Sequence, residues 1–154
     1  MSLEIGKPAP DFTLPADGGG SITLSAFKGR PVILYFYPKD STSGCTKEAC
    51  DFRDAMPDFS SLKAEVIGIS RDSVKSHDSF KAKQNLNFSL AADVEGKVCE
   101  AYDAWVEKSM YGRKYMGIER SSFLIDGNGV VRAIWRKVKV PGHVADILQQ
   151  LKKL

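Results

Sequence analysis

A continuous run of β-branched and aromatic residues constrains the fold of this chain more than any other segment. It extends over residues 31–37 and reads PVILYFY. A strand without a polar side must be covered on both faces. The run therefore predicts a central strand with further structure packed on each side of its sheet.

The rest of the chain alternates between strand patterns and helix patterns. Short apolar runs predict strands at residues 66–70, 88–92, 121–125 and 130–135. Residues 73–84 are compatible with a helix, and Gly142 precedes an amphipathic helix at the C-terminus. The glycines at 18–20 and the DGNG sequence at 126–129 predict hairpin turns. We expect an α/β fold, a central mixed sheet flanked by helices, in a single domain over residues 1–154.

A helix is predicted shortly after the apolar run. Thr42 is suited to cap its N-terminus. Apolar residues then recur at helical spacing, namely Cys45, Ala49, Phe52, Met56 and Phe59. Pro57 predicts the end of this helix, which would place Phe59 in the following connection. Cys45 would then lie in the first helical turn, directly after a buried strand.

This position favours a reactive cysteine at residue 45. Unpaired backbone N–H groups and the positive end of the helix dipole stabilise an anion there. The thiolate is the nucleophilic form of cysteine. Thr42, three residues earlier, can direct its hydroxyl toward the same point.

Cys50 is predicted to lie on a different, solvent-facing side of the same helix. It follows Cys45 by five positions, which is roughly 140° around a helix. Two Cα atoms so spaced are roughly 8 Å apart, whereas a disulfide rarely accepts more than about 7 Å. A bond between them would require the start of the helix to unwind.

The remaining features argue against several other classes of protein. The C-x4-C spacing is not the C-x-x-C of thioredoxins, and without a second Cys or His pair nearby it is not a convincing zinc site. His77 and His143 lie in separate segments, and we expect both at the surface. A net charge of +3 does not favour nucleic acid as a partner. The absence of an apolar N-terminal signal and the small number of cysteines predict a cytoplasmic protein.

The segment around Cys45 resembles the active-site motif of peroxiredoxins. The matching pattern is Pro38-x-x-x-Thr42-x-x-Cys45, followed by Glu48. Further similar segments are APDF at residues 9–12, KSMYG at residues 108–112 and RSSFLID at residues 120–126. Together they resemble the bacterioferritin comigratory protein group, also called peroxiredoxin Q, over nearly the whole chain.

The resemblance implies a thioredoxin-like fold and peroxidase activity toward hydrogen peroxide and organic hydroperoxides. It implies thioredoxin or glutaredoxin as the reductant and a monomer, with no metal or organic cofactor. The longest apolar run, at residues 31–38, is too short to span a bilayer, so we expect no membrane partner, and the small net charge predicts no nucleic-acid partner. Cys45 would be the peroxidatic cysteine, with Thr42 hydrogen-bonded to the sulfur and the peroxide and Pro38 shielding the pocket. Arg120 would stabilise the thiolate, and Glu48 would hold this arginine.

The resemblance also assigns the other cysteines. Cys50 matches the resolving cysteine of those members that carry it five residues downstream. Other members carry it in the next helix, near Lys81, where this chain has no cysteine. Cys99 matches no functional position, and we expect it to be a small packed residue of a helix.

Two other functions remain compatible with the sequence. A disulfide carrier or reductase would share the fold and would not reduce peroxide, although the missing C-x-x-C speaks against it. A non-enzymatic binding module, such as a redox-sensing partner, would bind without catalytic turnover. Reaction with hydrogen peroxide separates both from a peroxidase.

Overall fold

In a computed structural model, which describes residues 3–154, this part of the chain forms four α-helices and nine β-strands. The helices are α1 (Ser43–Ser61), α2 (Val74–Gln84), α3 (Lys97–Ala101) and α4 (His143–Lys152). The strands are β1 (Thr13–Pro15), β2 (Ser21–Thr23), β3 (Val32–Phe36), β4 (Glu65–Ser70), β5 (Ser89–Ala92), β6 (Trp105–Met110), β7 (Arg113–Ile118), β8 (Ser121–Ile125) and β9 (Val131–Trp135). No helix within residues 3–154 is both long enough and apolar enough to cross a membrane.

Five strands form the central sheet, in the order β5-β4-β3-β8-β9. β3 runs parallel to β4 and antiparallel to β8, so the sheet is mixed, as predicted. All five residues of β3 are buried, which confirms the central strand predicted from the apolar run. The β8–β9 hairpin is confirmed as well, and β1 pairs with β2 across the three glycines.

Alternate side chains of β3 face two halves of the core, because successive residues of a strand point to opposite faces. Tyr35 faces α1, where its ring stacks on that of Phe52 at 4.5 Å between centroids. Ile147 of α4 belongs to the same half of the core. Phe36 faces the opposite half, where its ring lies 5.3 Å from that of Tyr102. The half that contains Tyr35 also contains the buried cysteine of α1.

Helix α1 continues through Pro57 to Ser61, so the predicted end at Pro57 is wrong. Proline cannot donate an N–H group to the carbonyl of Arg53, one turn earlier. The side chain of Asn87 donates to that carbonyl instead, at 3.2 Å. Phe59 is fully buried in the core, and this burial favours a continued helix over a loop.

The β6–β7 hairpin was not predicted from the sequence. Its two-residue turn consists of Tyr111 and Gly112, whose φ angles are 52° and 78°. Two positive φ angles are typical of a type I′ turn, but Asn-Gly or Asp-Gly is its usual sequence. Most strand residues of the hairpin are exposed or half-buried, so they carry no clear apolar alternation.

Both histidines are buried, so their predicted surface position is wrong. His77 is 0% exposed and His143 is 5% exposed. His77 Nδ1 lies 2.7 Å from Asp40 Oδ2, and His143 Nε2 lies 2.7 Å from Ser122 Oγ. Burial lowers the pKa of His143 to about 4, so this ring is neutral at physiological pH. These polar partners are distant in sequence, and they make burial of the two rings acceptable.

We expect Gly68→Ala to lower the free energy of unfolding by about 2 kcal/mol, as overpacking of a core does. A Cβ at Gly68 would lie 2.8 Å from Tyr35 Cζ and 2.9 Å from Leu90 Cδ2. Tyr35 cannot yield easily, because its ring stacks on Phe52. Urea denaturation measures the change. Gly20→Ala is the matched control, since nothing lies within 4 Å of its Cβ position, and equal stability of both variants would contradict the prediction.

Candidate active site

The site forms where the central strand ends. Residues 37–42, here called the β3–α1 loop, connect β3 to α1. Thr42 is the N-cap residue of α1, and its carbonyl accepts the first helical hydrogen bond, from the N–H of Thr46 at 2.8 Å. Cys45 therefore lies in the first turn, as predicted, and is only 1% exposed. Backbone N–H groups at this helix end favour a negatively charged sulfur.

Arg120 reaches the sulfur from the neighbouring strand. It directly precedes β8, and Ser121 is paired with Phe36 at the end of β3. This register brings Arg120 beside the first turn of α1, where its Nη2 donates to Cys45 Sγ at 3.3 Å. Gly44 leaves room for the guanidinium, since a Cβ there would lie 3.3 Å from Arg120 Nη2. The structure therefore brings Arg120 to the Cys45 sulfur, as the resemblance implied, whereas the contribution of Gly44 was not predicted.

Glu48 holds the other side of the guanidinium. It lies three residues after Cys45 on the buried face of α1, and its Oε1 accepts from Arg120 Nη1 at 2.5 Å. Burial raises the pKa of Glu48 to about 7, although Arg120 favours the carboxylate. Its second oxygen, Oε2, is buried without a hydrogen-bond partner among residues 3–154. In the described part of the chain, Arg120 is thus the one hydrogen-bond partner of this carboxyl group.

Thr42 and Pro38 lie on the exposed side of the site. The Thr42 hydroxyl donates to the carbonyl of Lys39 at 2.9 Å, so its hydrogen is directed away from the sulfur. The expected hydrogen bond between Thr42 and Cys45 does not occur in the part of the chain that is described. Pro38 lines an open groove that also borders Lys108 on β6.

Cys50 is half-buried, so its predicted solvent-facing position is only partly correct. Its Sγ lies 3.7 Å from Oε1 of Gln84, the last residue of α2, which covers this side of α1. All three cysteines are free thiols. Cys99 is fully buried in α3, as predicted, and burial raises the pKa of its thiol far above the usual range.

One group of side chains within residues 3–154 has the spacing of metal ligands. It consists of Asp40, Asp72 and His77, whose candidate atoms lie within 4.8 Å of one another. Asp40 Oδ2 and His77 Nδ1 are already hydrogen-bonded at 2.7 Å, so the ring nitrogen is engaged with the carboxylate. The geometry is that of a hydrogen-bonded cluster.

The chemistry of the site follows from these contacts. A thiolate of Cys45 would be stabilised by Arg120 and by the helix N-terminus, and it would be a nucleophile toward an electrophilic atom. The same donors can stabilise negative charge that moves from the sulfur to a departing group. This suits attack on a polarisable bond such as O–O, and it requires no hydride donor.

Comparison with known proteins agrees with this chemistry. Residues 5–134 match the sequence model of the AhpC/TSA family. Peroxiredoxin Bcp of Bacillus subtilis (strain 168) is 53% identical over 154 residues, which cover 100% of this chain and 98% of the relative. A structure of the Xanthomonas campestris bacterioferritin comigratory protein, studied for alkyl peroxide reduction, has a TM-score of 0.91 and 47% identity and covers 98% of this chain and 96% of its own. A PrxQ variant from Xylella fastidiosa has a TM-score of 0.94 and 42% identity and covers 99% and 98% of the two chains.

These similarities confirm the thioredoxin-like fold expected from the sequence. They extend over nearly the full length of the chain, and they favour a peroxidase over a disulfide carrier. The chain therefore belongs to the AhpC/TSA family and, within it, to the Bcp/PrxQ peroxiredoxins, which are thiol peroxidases.

Proposed function

We propose that the protein reduces hydrogen peroxide and organic hydroperoxides through Cys45. The observation that carries this proposal is the 3.3 Å contact from Arg120 to the Cys45 sulfur in the first turn of α1. The thiolate attacks one peroxide oxygen, and the S–O bond forms as the O–O bond breaks. Cys45 is oxidised to a sulfenic acid, and the second oxygen leaves as water or an alcohol after it takes up a proton. The alkyl peroxide reduction described for the Xanthomonas campestris protein supports organic substrates.

Arg120 and Glu48 stabilise the charge that moves during this attack. The guanidinium lies close to the sulfur, so it remains close to the oxygen that receives the negative charge. Glu48 fixes the guanidinium from the buried side through Nη1 and leaves Nη2 directed at the sulfur. The donors are thus in place before the peroxide arrives.

Thr42 and Pro38 complete the pocket. Because the Thr42 hydroxyl donates to Lys39, its lone pairs are available to accept a hydrogen bond from the peroxide O–H. This differs from the expectation that Thr42 bonds to the sulfur. Pro38 lies on the exposed β3–α1 loop and limits the access of water to the reacting atoms.

Cys50 is proposed as the resolving cysteine, whose thiol condenses with the sulfenic acid of Cys45 and releases water. In an intact helix their Cα atoms are roughly 8 Å apart, beyond the roughly 7 Å that a disulfide accepts. The first turns of α1 must therefore unwind. The weak 3.7 Å contact between Cys50 and Gln84 does little to oppose this step.

The unwinding is expected to stop at Arg53. Its Nη1 donates to the carbonyl of Gln84 at 2.7 Å, and its own carbonyl accepts from Asn87 at 3.2 Å. Both bonds tie α1 to the C-terminal end of α2 and the loop behind it. We infer that only residues 43–52 change conformation when the disulfide forms.

Family membership implies peroxide substrates and a thioredoxin-type reductant. We further infer that thioredoxin or glutaredoxin reduces the disulfide, and that the protein acts in the cytoplasm as a monomer with a single domain over residues 1–154. The small net charge of +3 supports the absence of a nucleic-acid partner, and we infer no membrane partner.

Replacing Cys45 with serine should abolish peroxide turnover and preserve the fold, because a serine hydroxyl is not ionised at neutral pH. Cys99→Ala is the matched control and should keep both turnover and disulfide formation, since Cys99 is buried in α3. Stopped-flow measurement with hydrogen peroxide tests both. Turnover by Cys45→Ser would contradict the assignment of Cys45 as the nucleophile. A Cys45–Cys99 disulfide found by peptide mapping would contradict the assignment of Cys99 as a residue without a redox role.

Arg120→Ala should slow the reaction of Cys45 with peroxide by about 10²-fold, as expected for the loss of one charge-stabilising donor. Arg132→Ala is the control, because Arg132 lies on β9 and pairs with Asp126 instead. The second-order rate constant and the ultraviolet absorbance of the thiolate as a function of pH are the two measurements. An Arg120→Ala variant that matches the control in both would refute the role of the guanidinium.

Cys50→Ser should reduce the first equivalent of peroxide at the wild-type rate and then stop in the presence of thioredoxin. In this variant the sulfenic acid of Cys45 has no thiol to condense with. Cys45 should therefore be over-oxidised more readily than in the wild type. In the wild type, oxidation should increase amide hydrogen exchange across residues 43–52 without a new intermolecular bond. Full thioredoxin-supported turnover by Cys50→Ser, or an oxidised structure with α1 intact through residue 50, would contradict the scheme.

A further inference from the structure

A buried polar cluster lies behind the β3–α1 loop and takes no part in the chemistry described above. At its centre is His77, on α2, which is fully buried. Its Nδ1 lies 2.7 Å from Asp40 Oδ2, and its Nε2 lies 3.0 Å from the carbonyl oxygen of Ala91 on β5. A carboxylate and a carbonyl can only accept hydrogen bonds, so both contacts are made when both ring nitrogens carry a proton. The ring is therefore held as an imidazolium.

Asp40 connects this cluster to the β3–α1 loop. Its Oδ2 accepts from the Ser76 hydroxyl at 2.8 Å as well as from His77, and its Oδ1 accepts from Tyr37 at 2.6 Å. Its backbone N–H donates to Asp72 Oδ2 at 2.8 Å. Side chain and main chain of one residue are thus fixed to α2 and to the loop that precedes it.

The residues after Asp40 need this support. Ser41 has a φ of 64°, a left-handed conformation that is unfavourable for residues other than glycine. Thr42 follows and donates back to Lys39 across the same turn. A strained turn persists only where its surroundings hold it in place. The contacts of Asp40 supply that restraint immediately before the helix that carries Cys45.

We propose that His77 is a positioning residue for peroxide attack, and that it acts by holding Asp40 and thereby the loop from Pro38 to Thr42 against Cys45. This role rests on the function proposed above, because it concerns the geometry of the same reaction. His77 does not touch the peroxide. It determines where Thr42, the acceptor for the peroxide O–H, lies relative to the sulfur.

Two substitutions separate this role from simple filling of the core. The amide of asparagine takes the place of Nδ1, so His77→Asn keeps a donor for Asp40 and loses the bond to Ala91. The amide of glutamine takes the place of Nε2, so His77→Gln keeps the bond to Ala91 and loses the donor for Asp40. Glutamine is closer to histidine in volume, so a core-filling role would make His77→Gln the milder change.

The experiment measures two reactions of Cys45 in each variant. The rate constant with hydrogen peroxide should fall by about 10- to 100-fold in His77→Gln, because the acceptor is misplaced, and remain close to the wild-type value in His77→Asn. Alkylation of Cys45 by iodoacetamide, followed by peptide mass spectrometry, should not be slower in either variant, since iodoacetamide needs no hydrogen-bond acceptor on the loop. Equal peroxide rates in the two variants, a faster His77→Gln, or a parallel loss of alkylation would each overturn the proposal.

Two further measurements keep the test decisive if the histidine variants do not fold. Ser76→Ala removes a neighbouring donor to the same carboxylate, and it should slow the peroxide reaction without slowing alkylation; a wild-type peroxide rate would overturn the proposal. In the wild type, nuclear magnetic resonance should find a proton on each ring nitrogen of His77, and a single proton would overturn it. If Cys45 of the wild type does not react with peroxide, the proposed function itself is wrong. If the wild type reacts but the peroxide rate constants of the variants do not follow the expected order, only the role of His77 is wrong.

Discussion

The guanidinium of Arg120 bridges the sulfur of Cys45 and the buried carboxyl of Glu48, and the rest of the site depends on this bridge. Arginine presents its donors in a rigid planar fork, so Nη1 and Nη2 can serve two partners in one fixed geometry. Glu48 is fully buried, and the low dielectric of its surroundings strengthens the attraction between the charges. Removing the arginine would leave this buried carboxyl without a hydrogen-bond partner among residues 3–154, which is why the two groups are expected to act as a unit.

The central sheet and α1 together determine the position of this bridge. Pairing of Phe36 with Ser121 sets the register of β3 against β8 and brings Arg120 to the end of β3. Helix α1 begins at the same end and presents Cys45 and Glu48 one turn apart on its buried side. A shift of one residue in the strand register would direct the side chains of β8 to the opposite face. The reactivity proposed for Cys45 therefore depends on the strand pairing as much as on the helix N-terminus.

Features that depend on local pattern were predictable from the sequence, and those that depend on distant partners were not. The central strand and the position of Cys45 in the first turn of α1 follow from apolar runs and helical spacing. Thr42 is the N-cap residue, as predicted, but its side chain makes no capping hydrogen bond. The continuation of α1 past Pro57 depends on a donor from Asn87, far along the chain. The burial of His77 depends likewise on Asp40 and Ala91. For the site, the resemblance to peroxiredoxins suggested Arg120 and Glu48 as neighbours of Cys45, which the structure brings together, but only the structure reveals that the Thr42 hydroxyl donates to its own loop.

The two steps proposed for Cys45 place opposite demands on α1, which must be rigid for attack and must unwind for resolution. Helix α2 reconciles these demands, because it holds the chain on both sides of the segment that moves. Near its start, Ser76 and His77 bind Asp40 before the first turn of α1, and at its end the carbonyl of Gln84 accepts from Arg53 beyond Cys50. Residues 43–52 can then change conformation while both ends of the segment stay fixed. Because the segment is short, the entropy cost of holding its ends together is small in the reduced and in the disulfide-bonded protein. The amide groups of residues 49–52 are released with the rest of this segment, because their acceptors lie on residues 45–48, four positions earlier. The reversal of the disulfide can then restore the helix without rebuilding the sheet beneath it.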